Sequence, residues 1–202
     1  MTLSKFGTGF WALAACALLA ASAVPAQPQP RWEMVPHVDL ESGFRVSYPR
    51  GWRREVPAKG PVKLVLGEPK ANAFTLCSVE HSVPAKPLPL AQARVDQELV
   101  RGFKTRDWPQ QLAGKRHVLD FQVREIGGVP MGAVDWDGTE TRNGREDFAR
   151  GIKVFRMTPA SLWTAECVAI ALTRPAANAY FEASLPLIAE ILDSLRFPPD
   201  RP

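Results

Sequence analysis

Two cysteines, Cys77 and Cys167, have the clearest chemistry open to them in this chain, and each sits in a largely apolar, strand-like run, Ala73–Val79 and Trp163–Ala169. In an oxidising compartment such a pair is a candidate disulfide, and closing a loop of about 90 residues would restrict the unfolded chain by roughly 4 to 5 kcal/mol. The competing reading is two buried free thiols packing as small apolar side chains. No Cys-x-x-Cys spacing is present to lower a thiol pKa, so a redox role is not expected.

The densest acidic cluster is Asp135-Trp136-Asp137-Gly138-Thr139-Glu140. Strand alternation sets Asp135 and Asp137 on one face, with Val134 and Trp136 on the other. Paired carboxylates near a turn can hold a hard cation such as Ca²⁺, but this spacing does not complete a calcium-loop pattern, and a solvated strand end is the expectation. His37, His81 and His117 lack the paired spacing of a zinc site, and no serine lies in a Gly-x-Ser-x-Gly turn. The sequence therefore assigns no catalytic, cofactor-binding or metal-ligating residue, and no cofactor. What remains is a basic stretch, Arg50, Arg53, Arg54, Lys59 and Lys63 around Trp52. Arg50, Trp52, Arg53 and Arg54 form a candidate partner-binding patch for an acidic protein or for anionic headgroups in a peripheral membrane contact; a solvated face is the alternative.

The compartment is read from the first 26 residues. Lys5 precedes an uncharged run from Phe6 to Val24, followed by Val24-Pro25-Ala26 and a polar Gln27-Pro28-Gln29-Pro30. A charged start, an apolar stretch and compact residues before a polar exit make an export signal, with cleavage expected after Ala26 and a bacterial periplasmic or secreted location. Two alternatives stay open: lipidation at Cys16 within Leu13-Ala14-Ala15-Cys16, and retention of the run as a single anchor. Loss of the leader removes only Lys5 from 25 basic residues against 21 acidic ones. So small an excess gives no argument for a nucleic-acid partner, and export argues against one.

The elements that must position these residues follow from periodicity. Residues 27–42 read as an extended N-terminal segment, 43–197 as a single domain and 198–202 as a flexible tail. Phe44, Val46 and Tyr48 alternate with polar residues, Val62, Leu64 and Leu66 do the same, and the Cys77 strand follows. Leu88, Ala91, Val95, Leu99 and Phe103 recur at helical spacing, predicting a surface helix from Leu90 to Phe103. Four strands then come in series, roughly His117 to Ile126, Val129 to Gly138, Asp147 to Met157 and Leu162 to Leu172, joined by turns at Gly127-Gly128, Asn143-Gly144 and Thr158–Ser161. Asn178 to Leu195 carries a helical stripe that Pro186 should break into two helices, with Ser184 a candidate cap for the second. The expected fold is α+β: an antiparallel β-sheet meander with helices on both faces, an α/β/α sandwich.

Gly43-Phe44-Arg45-Val46-Ser47-Tyr48-Pro49-Arg50-Gly51-Trp52 resembles the opening of PsbP-like domains, in which a strand ends in a Tyr-Pro-x-Gly-Trp turn. Ile188-x-x-Ile191-Leu192-x-Ser194-Leu195-x-Phe197 is similar to the closing helix of that family. The resemblance implies an antiparallel sheet between helical layers and a binding or assembly-accessory module without a shared catalytic residue. The expected function is a non-enzymatic exported module for a protein partner or a small apolar ligand. The alternatives are a hydrolase-type enzyme whose residues meet only in the fold, and an envelope-anchored structural protein.

Overall fold

The computed structural model describes residues 32–69, 73–105, 116–142 and 144–198. The expected leader with Cys16, the Pro-rich entry as far as residue 31, Asn143 and the tail from residue 199 lie outside the described residues. The elements are β1 (Met34–Val38), β2 (Arg45–Pro49), β3 (Arg53–Glu55), β4 (Val62–Gly67), β5 (Ala73–Ser82), α1 (Gln92–Thr105), β6 (His117–Ile126), β7 (Val129–Arg142), β8 (Arg145–Met157), β9 (Leu162–Ala171) and α2 (Arg174–Asp193).

A seven-stranded antiparallel sheet runs in the order β3-β4-β5-β9-β8-β7-β6. The expected meander is its half from β6 to β9. Gly127 and Gly128, at φ 62° and 79°, make the two-residue turn that sets Ile126 opposite Val129. Such a turn needs positive φ at both central positions, which glycine adopts without steric cost. The sequence reading differs in placing all strands in one layer. β2 instead pairs with β1 as a separate two-stranded sheet, and Arg45 bridges to Arg196 beyond α2 through N–H···O bonds of 2.8 and 2.9 Å. β1 contains Pro36 and β3 is Arg53-Arg54-Glu55, so neither carries the alternation by which a strand is read.

Burial follows the side-chain parity of the strands. Met131, Ala133, Ile152 and Val154 join Cys77, Cys167 and Phe181, Ile188, Ile191 and Leu192 of α2 in the main core. Val134 and Phe155, of opposite parity on β7 and β8, join Leu99 and Phe103 of α1 in a second cluster. Phe103 lies against Gly132 so closely that a Cβ there would clash with the edge of the ring at its Cζ. A third cluster of Trp136, Ala149, Val168 and Ile170, with Phe74 and Leu76 against it, contains no residue of either helix. An antiparallel sheet with two helices is thus the architecture of the described residues, without a complete helical layer on each face.

α1 starts and ends two residues later than its periodicity predicts, with Val95, Leu99 and Phe103 buried. α2 departs further from expectation, because it runs unbroken through Pro186 and begins earlier, at a Thr173 cap whose hydroxyl accepts from the Ala176 N–H at 3.3 Å. Ser184 therefore lies inside the helix rather than capping one. Pro186 and Glu182 both lie on the exposed side. The Glu182 carbonyl that proline leaves without its i+4 donor is free to bond water there, and the break is avoided.

Candidate functional site

The two cysteines meet as directly opposed residues of β5 and β9, with Cα atoms 4.1 Å apart and a disulfide between them. Both are almost fully buried, at 3% and 1% exposure, in the main core. The bridge joins segments 90 residues apart at the centre of the seven-stranded sheet.

The basic stretch is divided by the fold. Arg50, just beyond the end of β2, pairs with Glu33 at 2.8 Å while its backbone N–H donates to the Glu33 carbonyl, so its charge is matched. Trp52 packs against the main core, and its N–H donates to the Pro49 carbonyl at 3.2 Å, closing the turn. Arg53 and Arg54 are exposed on β3, an edge of the sheet, and no carboxylate pairs with them among the described residues. Lys59 is exposed nearby in sequence and Lys63 is half-buried. Arg54 also acts inward: burial, and then its charge, hold the His37 imidazole below the usual histidine range. Burial pushes the Asp39 carboxyl up, but the Ser42 N–H and hydroxyl at 2.6 and 2.8 Å, with the Glu41 N–H and the His37 charge, together bring it below the usual carboxylate range.

Asp135 and Asp137 are matched by arginines. Asp135 Oδ2 accepts from Arg150 at 2.8 Å; Asp137 accepts from Arg174 of α2 at 2.7 Å and lies 3.1 Å from His117 Nδ1. Among the described residues no three His, Cys, Asp or Glu side chains converge as a metal would require. Asp135 Oδ1 is buried without a partner. Burial drives the Asp135 carboxyl up to about 6; Arg150 opposes the rise, and the charges of Asp120 and Glu182 add to it. Asp120, Asp135, Ala133 and Ile152 line a depression of about 40 Å³, room for a water or two rather than for a substrate.

Sequence reasoning missed two charged arrangements. Arg116 lies 3.8 Å over the Trp136 ring and donates to Glu140 at 2.6 Å and Glu166 at 2.5 Å. Burial raises the Glu166 carboxyl against the pull of Lys153 and Arg116. Arg156, 8% exposed, ties β8 to α1 by donating to Asp96 at 2.5 Å. Lys153-x-x-Arg156 and Glu166 stand out in sequence only as charges interrupting apolar strands, the one signal that could have found them. Beside that pair, Asp96, Gln97, Val100, Arg101, Lys104 and Pro130 line an open groove of about 400 Å³. Of the histidines, His81 stacks on Trp163 at 4.0 Å and His37 lies 5.6 Å from Phe44, both ring contacts of the core rim.

No protein-family profile matches the chain, and no curated protein does. Among solved structures it is similar to the cyanobacterial PsbP of Synechocystis sp. PCC 6803, at 17% identity over 85% of this chain and 96% of that one, with a TM-score of 0.47. It is also similar to LpqN of Mycobacterium tuberculosis, a protein involved in cell envelope biogenesis, at 12% identity over 84% and 93% of the two chains, with a TM-score of 0.45. The first of these is a PsbP, the family that Gly43–Trp52 and Ile188–Phe197 resemble.

Proposed function

We propose that the protein is an exported, non-enzymatic binding module that docks an acidic protein partner through the exposed end of its basic patch. The observation that carries this reading is Arg53 and Arg54. Both are exposed beside the anchored Trp52 without a carboxylate neighbour among the described residues, whereas Arg50, Arg116, Arg150, Arg156 and Arg174 all have one. Exposed unmatched guanidinium groups on a short edge strand cost the fold little and give an acidic surface a bidentate target. Export is supported by the Cys77–Cys167 bridge, which persists in an oxidising compartment, and by the leader-like first 26 residues.

The test is affinity capture from the native envelope with the wild-type chain and with the double charge reversal Arg53→Glu, Arg54→Glu. We expect the reversal to lose the captured partner with a thermal midpoint within about 2 °C of wild type, since exposed substitutions change stability little. An unchanged capture overturns the docking surface. The mass of the chain from the same envelope tests export separately: a first residue of Gln27 supports cleavage, a lipid on Cys16 or the full leader replaces it.

A further inference from the structure

β1 and β2 form a sheet of their own, whose Phe44 and Val46 join the main core with Leu64, Leu66 and α2. The ladder gives β2 two kinds of amide. Asp39 N–H donates to the Phe44 carbonyl at 3.0 Å, and bonding alternates from that pair, so the Val46 and Tyr48 N–H groups turn toward His37 and Val35 of β1. Pro36 and Pro49 fall at the positions where no N–H is needed. The Arg45 and Ser47 N–H groups turn the other way, to the Arg196 carbonyl and to Ser194 Oγ, each at 2.8 Å. β1 can therefore leave without breaking the ties of β2 to the segment after α2.

His37 is the one residue that β1 buries fully. It is 8% exposed, its ring lies 5.6 Å from that of Phe44, and its Nε2 is buried without a hydrogen-bond partner among the described residues. A neutral imidazole fits this place with its proton on Nδ1. A second proton would set a donor and a positive charge at Nε2 where no acceptor waits, and Arg54 adds repulsion. Asp39 attracts that charge, yet burial and Arg54 outweigh it. The remaining charges are turned away. Arg53 and Glu55 alternate with Arg54 on β3, Arg45 with Val46 on β2 and Lys63 with Leu64 on β4. Glu41 of the turn and Glu182, Glu190 and Asp193 of α2 are exposed, and Glu33 pairs with Arg50. His81 stacks on Trp163, the other ring that meets Phe44.

We propose that protonation of the His37 imidazole beside Arg54 releases β1 from β2, so that the first strand is an acid-opened latch over Phe44. The direction follows from the closed form accommodating only the neutral ring. Well above the ordinary histidine value of 6.5 neither form binds the proton, and β1 is held. As pH falls below that value the open form takes the proton first, and opening grows until the closed form is protonated too. Lifting one edge strand costs less than unfolding the sheet, because the seven-stranded ladder and the contacts of β2 with the segment after α2 remain. β2 then presents Phe44 and an open strand edge.

Amide exchange of the full chain, followed by NMR at about pH 7.5 and about pH 5 and expressed as protection factors, tests it. At the lower pH the Val46 and Tyr48 amides should lose about tenfold or more of their protection, the factor that a buried donor without an acceptor corresponds to. The Arg45 and Ser47 amides should keep theirs. His37→Phe leaves nothing to protonate and should abolish the acid loss. Arg54→Gln, at an exposed position, removes the repulsion and should make the loss smaller, which decides the matter if the phenylalanine ring unsettles the hairpin. Wild-type protection that does not change with pH overturns the proposal, and so does a loss of equal size at all four amides, which would be a loosening of the whole fold. A loss that persists in His37→Phe, or one undiminished in Arg54→Gln, overturns it as well.

Discussion

Asp135 shows how one residue can carry a cost that its ion pair does not remove. Its carboxylate is matched by Arg150 at 2.8 Å, yet burial keeps the group's pKa near 6 against an ordinary aspartate value of 3.8. The unfolded chain releases this proton near pH 4 and the folded one near pH 6, so the carboxyl costs nothing below the first value and its full penalty above the second. Stability should fall as pH rises through that window by about 1 to 2 kcal/mol, allowing for the partial exposure of the group. Urea midpoints for wild type and Asp135→Asn between pH 4 and pH 7 check this. The variant leaves Arg150 unpaired and has a lower baseline, but it should gain on wild type as pH rises; parallel curves would remove Asp135 as the source. Glu166, also raised by burial, is common to both chains and cancels.

At the scale of elements, the legible parts were those with a strong period and a marked end. β6 to β9 were readable because runs of ten residues or more rich in strand-forming side chains lie between marked turns, at Gly127-Gly128, Asn143-Gly144 and Thr158–Ser161, and α1 because Val95, Leu99 and Phe103 keep one stripe. β1, β3 and the unbroken α2 were not, because their form is set by pairing and solvent access rather than by local pattern. The pair Cys77 and Cys167 was legible as a candidate from compartment and flanking runs, while its register needed the β5–β9 ladder. Arg50 could not be removed from the basic patch without seeing Glu33 beside it. Gly132 illustrates the same limit: an isolated glycine in a strand signals close approach without saying of what, and the structure answers with Phe103. Gly132→Ala should push the ring off the sheet and cost about 1 to 3 kcal/mol in urea unfolding. Phe103→Leu in the same chain should return part of that loss, and no recovery would place the strain in the strand instead. In α2 the opposite sign is expected. Pro186→Ala restores a bond to Glu182 and should stabilise by about 1 to 2 kcal/mol, less than the full interior cost because the freed carbonyl is already solvated.

For the whole molecule, the disulfide is a covalent cross-link between β5 and β9, neighbouring strands from distant parts of the chain. β5 comes before α1 and β9 after the long β6–β8 meander, so their pairing closes the largest loop within the seven-stranded sheet, and the bridge at Cys77 and Cys167 fixes that closure in the unfolded state as well. Replacing both cysteines by alanine should therefore lower stability by about 2 to 5 kcal/mol while leaving the far-ultraviolet circular dichroism of the folded chain unchanged, since all ladders remain. The rate signature separates this from a packing loss. A constraint on the unfolded chain that is lost should mainly slow refolding, whereas a cavity left by two missing sulfur atoms should mainly speed unfolding. Stopped-flow refolding of the variant beside the oxidised wild type reads the difference. Unchanged refolding with faster unfolding would mean that the bridge acts as core filling, and that β5 and β9 find each other without it.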